Sequence, residues 1–156
     1  MAEIHQTAVI AKTAVIAPDA VIGPHCFVGQ RSVIGSKTVL EANVVIADDV
    51  TIGAGNHLFP NCTIGCSPQL LGMDPNKKLG GLVIGDNNVI RESVTIHPSM
   101  YPGHNTMVGS NNLLMVGSHV GHDCRLEDKI VISNCTQLSG HCHIETGAWL
   151  SALSGV

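Results

Sequence analysis

"IHQTAVIAKTAVIAPDAVIGPHCFVG", residues 4–29, places a branched aliphatic side chain at every sixth position. Stepping by six from Ile4 gives Ile10, Ile16, Ile22, Val28, Ile34, Leu40, Ile46, Ile52, Leu58 and Ile64. The phase breaks there, resumes at Ile84, Ile90 and Ile96, and after a second gap runs from Val108 through Leu114, Val120, Leu126, Ile132, Leu138, Ile144 and Leu150 to Val156. Two positions before the aliphatic the residue is often small, as at Ala8, Ala14, Ala20, Cys26, Ser32, Thr38, Cys62, Ser118, Cys124, Cys142 and Ala148. Two inward positions two residues apart are the alternation of a short strand. Glycine often follows the aliphatic (Gly23, Gly29, Gly35, Gly53, Gly65, Gly85, Gly109, Gly121), which reads as the point where the chain turns sharply. Six residues thus make one strand and one corner. Such units bury their apolar side only by stacking into a solenoid, so the expected fold is all-β.

Composition agrees with this. The 156 residues suit one domain; 44% are hydrophobic, yet only 3% are aromatic and 13% charged, so the core must be aliphatic. A net charge of −4 gives nucleic acid or anionic membrane no electrostatic reason to bind. The N-terminus lacks a basic-then-apolar signal pattern, and no run of about 18 apolar residues occurs. The expectation is a soluble, cytoplasmic protein without stable membrane insertion. Six cysteines without CxxC spacing indicate neither a zinc ribbon nor a disulfide framework. Cys26, Cys62, Cys124 and Cys142 fall in the small inward slot, where a thiol acts as a small hydrophobe.

The six-residue period resembles the hexapeptide-repeat family, which implies a left-handed parallel β-helix with three hexads per coil. One domain over residues 1–156 is expected, interrupted by loops at 66–83 ("CSPQLLGMDPNKKLGGLV") and 98–107 ("PSMYPGHNTM"). The first loop reads either as a tolerated insertion or as a flap that touches substrate, with Lys77 and Lys78 available to an anion. The repeat is still in phase at Val156, so either the chain is a fragment or another element covers the open edge.

Three hexads per coil bring residues eighteen apart into a stack at about 4.8 Å spacing. In "SHVGHDC", residues 118–124, His119 precedes Val120 and faces outward on a strand, whereas His122 lies at a corner beside Asp123. Eighteen residues on from His122 stands Gly140, followed by His141. A histidine base beside an open backbone N–H is what acyl transfer requires: the base takes a proton from the attacking hydroxyl and the N–H stabilises the oxyanion. Asp123 is placed to hold the other imidazole nitrogen. His5, His25, His57, His104 and His143 read as solvated, and His97 stays open between the two roles.

Three stretches are more specific: "IGDNNVIRESVTIH" (84–97), "VGSNNLLMVGSHVGHDC" (108–124) and "SNCTQLSGH" (133–141). Together they resemble the UDP-N-acetylglucosamine 3-O-acyltransferases that begin lipid A synthesis. The resemblance implies transfer of a 3-hydroxyacyl chain from acyl carrier protein to the 3-hydroxyl of UDP-N-acetylglucosamine, with no cofactor and no metal. It implies a homotrimer with sites between adjacent solenoids. His122 matches the general base, Asp123 its partner and Gly140 the oxyanion donor; His119, His141 and Gln69 match substrate contacts. Two departures stand out. The family follows its loop glutamine with Asp-Leu-Lys, whereas here Leu70 and Gly72 replace the charged residues, leaving Lys77 or Lys78 to supply a cation. The resemblance implies further coils and a C-terminal helical domain, with uridine and acyl-chain contacts, that are not among these 156 residues. Three rival readings are a related sugar-nucleotide acyltransferase, a carbonic-anhydrase-like zinc solenoid using His97, His119 and His122, and a non-catalytic solenoid.

Overall fold

The computed structural model describes residues 1–74 and 76–156. Its described residues form twenty-two short strands in three parallel sheets. The first face has eight strands, from Glu3–Ile4 to Trp149–Leu150; the second has seven, from Val9–Ile10 to Gln137–Leu138; the third has seven, from Val15–Ile16 to His143–Ile144. Consecutive strands belong to consecutive faces, so the chain winds as a three-sided, left-handed parallel β-helix. Hydrogen bonds run from coil to coil, as from His5 N–H to Ile22 O and from Gly23 N–H to Leu40 O, both 2.8 Å. No helix is long and apolar enough to cross a membrane among the described residues.

The six-residue period holds in three dimensions. Val28, Ile34, Leu40, Ile46, Leu58, Ile64, Ile90, Ile96, Leu114, Val120, Ile132 and Leu138 are completely buried along the axis. The corners differ from expectation. The residue in left-handed conformation lies three after the aliphatic and is mostly not glycine, as at His25, Arg31, Asn43, Asp49, Asn61, Asn87, Asp123 and His141 (φ between 55° and 66°). Its cost is offset because its N–H bonds the previous coil; Asn43 N–H reaches Pro24 O at 2.9 Å and His141 N–H reaches His122 O at 2.9 Å. The glycine directly after the aliphatic serves close approach instead. A methyl group at Gly23 would sit 2.8 Å from the Glu41 carbonyl.

Both expected loops are shorter at their C-terminal ends. The third face resumes at Gly81–Ile84 and at Asn105–Val108, so residues 81–83 and 105–107 are strand. Leu82 and Thr106 are fully buried two positions before Ile84 and Val108, which is the inward slot of every other hexad. The excursions therefore cover 65–80 and 97–104. Each leaves the second face, after Thr63–Ile64 or Thr95–Ile96, and returns to the third. They emerge at one edge of the prism, on consecutive coils.

The small slot does more than fill space. Its side chains donate to carbonyls of the next coil: Cys26 Sγ to Glu41 O at 2.7 Å, Ser32 Oγ to Ala47 O at 2.7 Å, Thr38 Oγ1 to Gly53 O at 2.8 Å. Burial pushes the Cys62 thiol up to about 12 and the Cys124 thiol up to about 11, so both stay protonated and unreactive. On the first face the slot holds a buried asparagine ladder. Asn88 Nδ2 donates to Asn56 Oδ1 and to Gly109 O, both at 2.9 Å, and Asn88 Oδ1 accepts the Asn112 N–H at 2.8 Å. Leucine at position 88 would keep the branched shape but leave those groups unpaired. Asn88→Leu is expected to destabilise the protein by about 2–4 kcal/mol in urea unfolding, since buried unpaired polar groups cost about 1–3 kcal/mol each. Wild-type stability in that variant would show that the ladder contributes only packing.

Candidate active site

At the edge shared by the second and third faces, the next coil after the two excursions carries Gly121, His122 and Asp123, and the one above it carries Gly140 and His141. Asp123 has the left-handed corner conformation (φ 60°), with its N–H bonded to Thr106 Oγ1 at 2.8 Å. This turns its carboxylate back toward the second excursion, where Ser99 Oγ donates a short hydrogen bond to Oδ1 and Met100 N–H donates to Oδ2 at 3.2 Å. His122 Nδ1 lies 2.9 Å from the same Oδ2. Burial works against charge on Asp123, but the hydrogen bonds from Ser99, His122 and Met100 N–H outweigh it and hold the carboxyl below its ordinary range. An ionised carboxylate only accepts, so the proton of neutral His122 belongs on Nδ1 and Nε2 is left as the basic nitrogen.

That nitrogen faces Gly140. A methyl group at Gly140 would sit 2.6 Å from Cε1 and 2.7 Å from Nε2 of His122, so only glycine leaves room for the ring. The Gly140 N–H has no partner among the described residues. A methyl at Gly121 would stand 2.7 Å from that nitrogen, so a second glycine keeps the donor approachable. Base and free donor share a cleft of about 320 Å³ lined by Gln69, Leu70, His97, His119, His122 and Gly140, among others.

The structure thus gathers the six residues singled out from the sequence. His119 faces outward as expected and shares a 2.7 Å hydrogen bond with Thr95 Oγ1 through Nδ1. His141 is exposed; its ring meets that of His122 edge-on at 5.1 Å, and its Nε2 is 4.0 Å from Asp123 Oδ2. Gln69 reaches the cleft from the first excursion. Lys77 and Lys78 separate. Lys77 Nζ stands 5.9 Å above the Tyr101 ring, which itself lies 6.4 Å from the His141 ring, whereas Lys78 favours the charge of Asp49. Of the larger cavities, two of about 520 and 600 Å³ lie under the first excursion, where Arg31 and Asp49 pair at 2.6 Å.

Other residues border the cleft or hold its groups, among them His97, which the sequence left open, and Leu70, which it noted as a departure. His97 is 6% exposed and forms the floor, with its ring edge-on to His119 at 4.7 Å. Its signal was present in the spacing: Thr95 pairs with His119, which puts His97 beside Gly121. Ser99, Met100 and Leu70 depend on the paths of the excursions, which no period describes. The ligand trio His97, His119 and His122 does not assemble as a metal site among the described residues; the trio that comes within 4.8 Å is His122, Asp123 and His141. Both carboxylate oxygens of that trio already accept hydrogen bonds, and Nδ1 of His122 is one of the donors. A metal there would have to displace them.

Burial, and then the charges of His119 and His122, push His97 down to about 4. An unfolded histidine titrates near 6.5, so the unfolded chain binds the extra proton between those values. His97 should therefore remove up to about 3 kcal/mol of stability as pH falls from about 6.5 to about 4. His97→Gln is expected to show a correspondingly smaller loss in urea unfolding at pH 7.5 and 4.5. An identical loss in both proteins contradicts a neutral, buried His97.

Residues 1–36 match the bacterial transferase hexapeptide (six repeats) family. The acyl-(acyl-carrier-protein)–UDP-N-acetylglucosamine O-acyltransferase of Synechocystis sp. is 44% identical over 108 residues, which cover 67% of this chain and 37% of that protein. The crystal structure of UDP-N-acetylglucosamine O-acyltransferase from Moraxella catarrhalis superposes with a TM-score of 0.92 at 39% identity, over 97% of this chain and 59% of that one. The UDP-N-acetylglucosamine acyltransferase of Bacteroides fragilis superposes with a TM-score of 0.77 at 31% identity, over 95% of this chain and 67% of that one. The match thus spans about two fifths of the curated relative and about three fifths to two thirds of the solved ones. The chain belongs to the UDP-N-acetylglucosamine acyltransferase family.

Proposed function

We propose that this protein transfers a 3-hydroxyacyl group from acyl carrier protein to the glucosamine 3-hydroxyl of UDP-N-acetylglucosamine. The observation that carries the reading is the pairing of His122 Nε2 with the free N–H of Gly140, behind a Nδ1 held by Asp123 at 2.9 Å. The relatives' names supply the two substrates.

In this mechanism the acceptor hydroxyl enters the cleft against His122. Nε2 takes its proton as the oxygen attacks the thioester carbonyl, and the Gly140 N–H donates to the oxyanion that forms. Asp123 stabilises the resulting imidazolium without taking the proton. Collapse of the intermediate breaks the carbon–sulfur bond, and the proton returns from Nε2 to the departing thiolate. One ester forms, one thioester is lost, and the histidine is regenerated. No cofactor or metal takes part in these steps.

His119, His141 and Gln69 are assigned to substrate contact because all three border the reacting corner. Leu70 stands in the cleft wall where the family carries a carboxylate, so polar recognition shifts toward Gln69 and the imidazoles. Lys77, over Tyr101 on the His141 side, is the cation placed to meet a substrate phosphate. The cleft is open on its outer side, and a neighbouring copy in a homotrimer would close it. The family reading also carries a cytoplasmic setting.

The test uses the full-length protein with UDP-N-acetylglucosamine and a series of 3-hydroxyacyl carrier-protein thioesters, with the ester product read by mass spectrometry. His122→Ala is expected to lower kcat by about two to four orders of magnitude, the range for a general base. Gly140→Ala should lower it by at least about a hundredfold, because the methyl displaces the base and crowds the oxyanion donor. Near wild-type turnover in His122→Ala, or no ester from any thioester, would overturn the reading.

A further inference from the structure

The second excursion, residues 97–104, does more than interrupt the repeat. Ser99 is completely buried, and its backbone is clamped to the end of the first excursion: Gly80 N–H donates to Ser99 O at 2.9 Å, and Ser99 N–H donates to Gly81 O at 3.1 Å. A methyl group at Gly80 would meet the carbonyls of His104 and Tyr101 at 2.3 and 2.4 Å, so the two excursions pack backbone against backbone. From this fixed point the Ser99 hydroxyl has two acceptors in reach, the Asp123 carboxylate and the Tyr101 carbonyl at 3.3 Å. The carboxylate is closer and charged, so it takes the single hydroxyl proton. The Ser99 oxygen in turn accepts the Tyr101 N–H at 3.1 Å.

The Asp123 carboxylate is thereby held at both ends. Oδ1 accepts from Ser99; Oδ2 accepts from Met100 N–H and from His122 Nδ1. A carboxylate held by one oxygen alone would be free to rotate about its Cβ–Cγ bond and carry the imidazole with it. The position of Nε2 opposite Gly140 depends on preventing that rotation. We propose that Ser99 is a positioning residue for acyl transfer, acting through Asp123 to fix the orientation and tautomer of His122, and that the 97–104 excursion belongs to the catalytic machinery. This rests on the acyl-transfer reading.

The test is a double-mutant cycle on the full-length enzyme, with Ser99→Ala, Asp123→Ala and the double variant assayed for kcat and for the KM of both substrates. Ser99→Ala is expected to lower kcat about tenfold while each KM stays within about twofold, as for loss of an interaction that orients a reacting group. In the Asp123→Ala background the same change should alter kcat by less than about twofold, because the group it acts through is gone. Ser99→Cys keeps the volume and a weak donor; it should fall between serine and alanine, and it carries the test if the alanine variant does not fold. A similar loss in both backgrounds would mean that Ser99 only supports the fold. No loss in the wild-type background would also overturn the proposal. If the wild-type enzyme forms no ester, the acyl-transfer reading fails and the role of Ser99 falls with it, an outcome distinct from an active enzyme indifferent to Ser99.

Discussion

Coil-on-coil hydrogen bonding in fixed register is the constraint on which the rest of this structure depends. Each strand is only two to four residues long, so no strand is stable without the one above and below it. The ladder survives both excursions: Thr63 still pairs with Thr95, and Thr95 with His119, although more than twenty residues separate each pair. An inserted segment must therefore leave and return at one edge without moving its coil. The aliphatic column pins the register from inside, since a slip of one residue would turn every inward side chain outward.

Chemistry collects at an edge for the same reason. Faces present one outward side chain per strand, whereas a corner turns its side chains outward and leaves backbone donors uncommitted. Residues far apart in sequence then arrive together: Gln69 and Leu70 from one excursion, Ser99 and Met100 from the next, His122 and Asp123 from a plain corner, Gly140 and His141 from the corner above. The His122 ring is held by a carboxylate that is itself held at both oxygens, and the Gly140 N–H belongs to a backbone that the ladder immobilises. Preorganisation of this kind spares a site the cost of reorganising during reaction.

Much of this was legible because a period is a coordinate system. Knowing that Val120 points inward was enough to put His119 on a face and His122 at a corner, and an eighteen-residue step found Gly140. The failures have equally physical origins. Leu82 and Thr106 were assigned to loops because a double glycine and a run of polar residues mask two inward slots. The left-handed corner residue was sought at glycine, yet Asp123 and His141 adopt that conformation because a hydrogen bond to the preceding coil or to Thr106 compensates them. The asparagine ladder was invisible because asparagine reads as polar surface, and only the structure shows its amides linking coil to coil. Ser99 was beyond reach: its contact with Asp123 depends on the path of an excursion packed against another excursion, and neither obeys the repeat.

The central claim is that Asp123 fixes His122 with its proton on Nδ1 and a basic Nε2 turned to Gly140. Nitrogen-15 NMR of histidine-labelled full-length protein, with His122 assigned from a His122→Gln variant and spectra taken at a pH where the ring is neutral, reads the tautomer directly. The account predicts a protonated Nδ1 and an unprotonated Nε2, and loss of that preference in Asp123→Ala. A His122 protonated on Nε2 in the wild-type protein would contradict it.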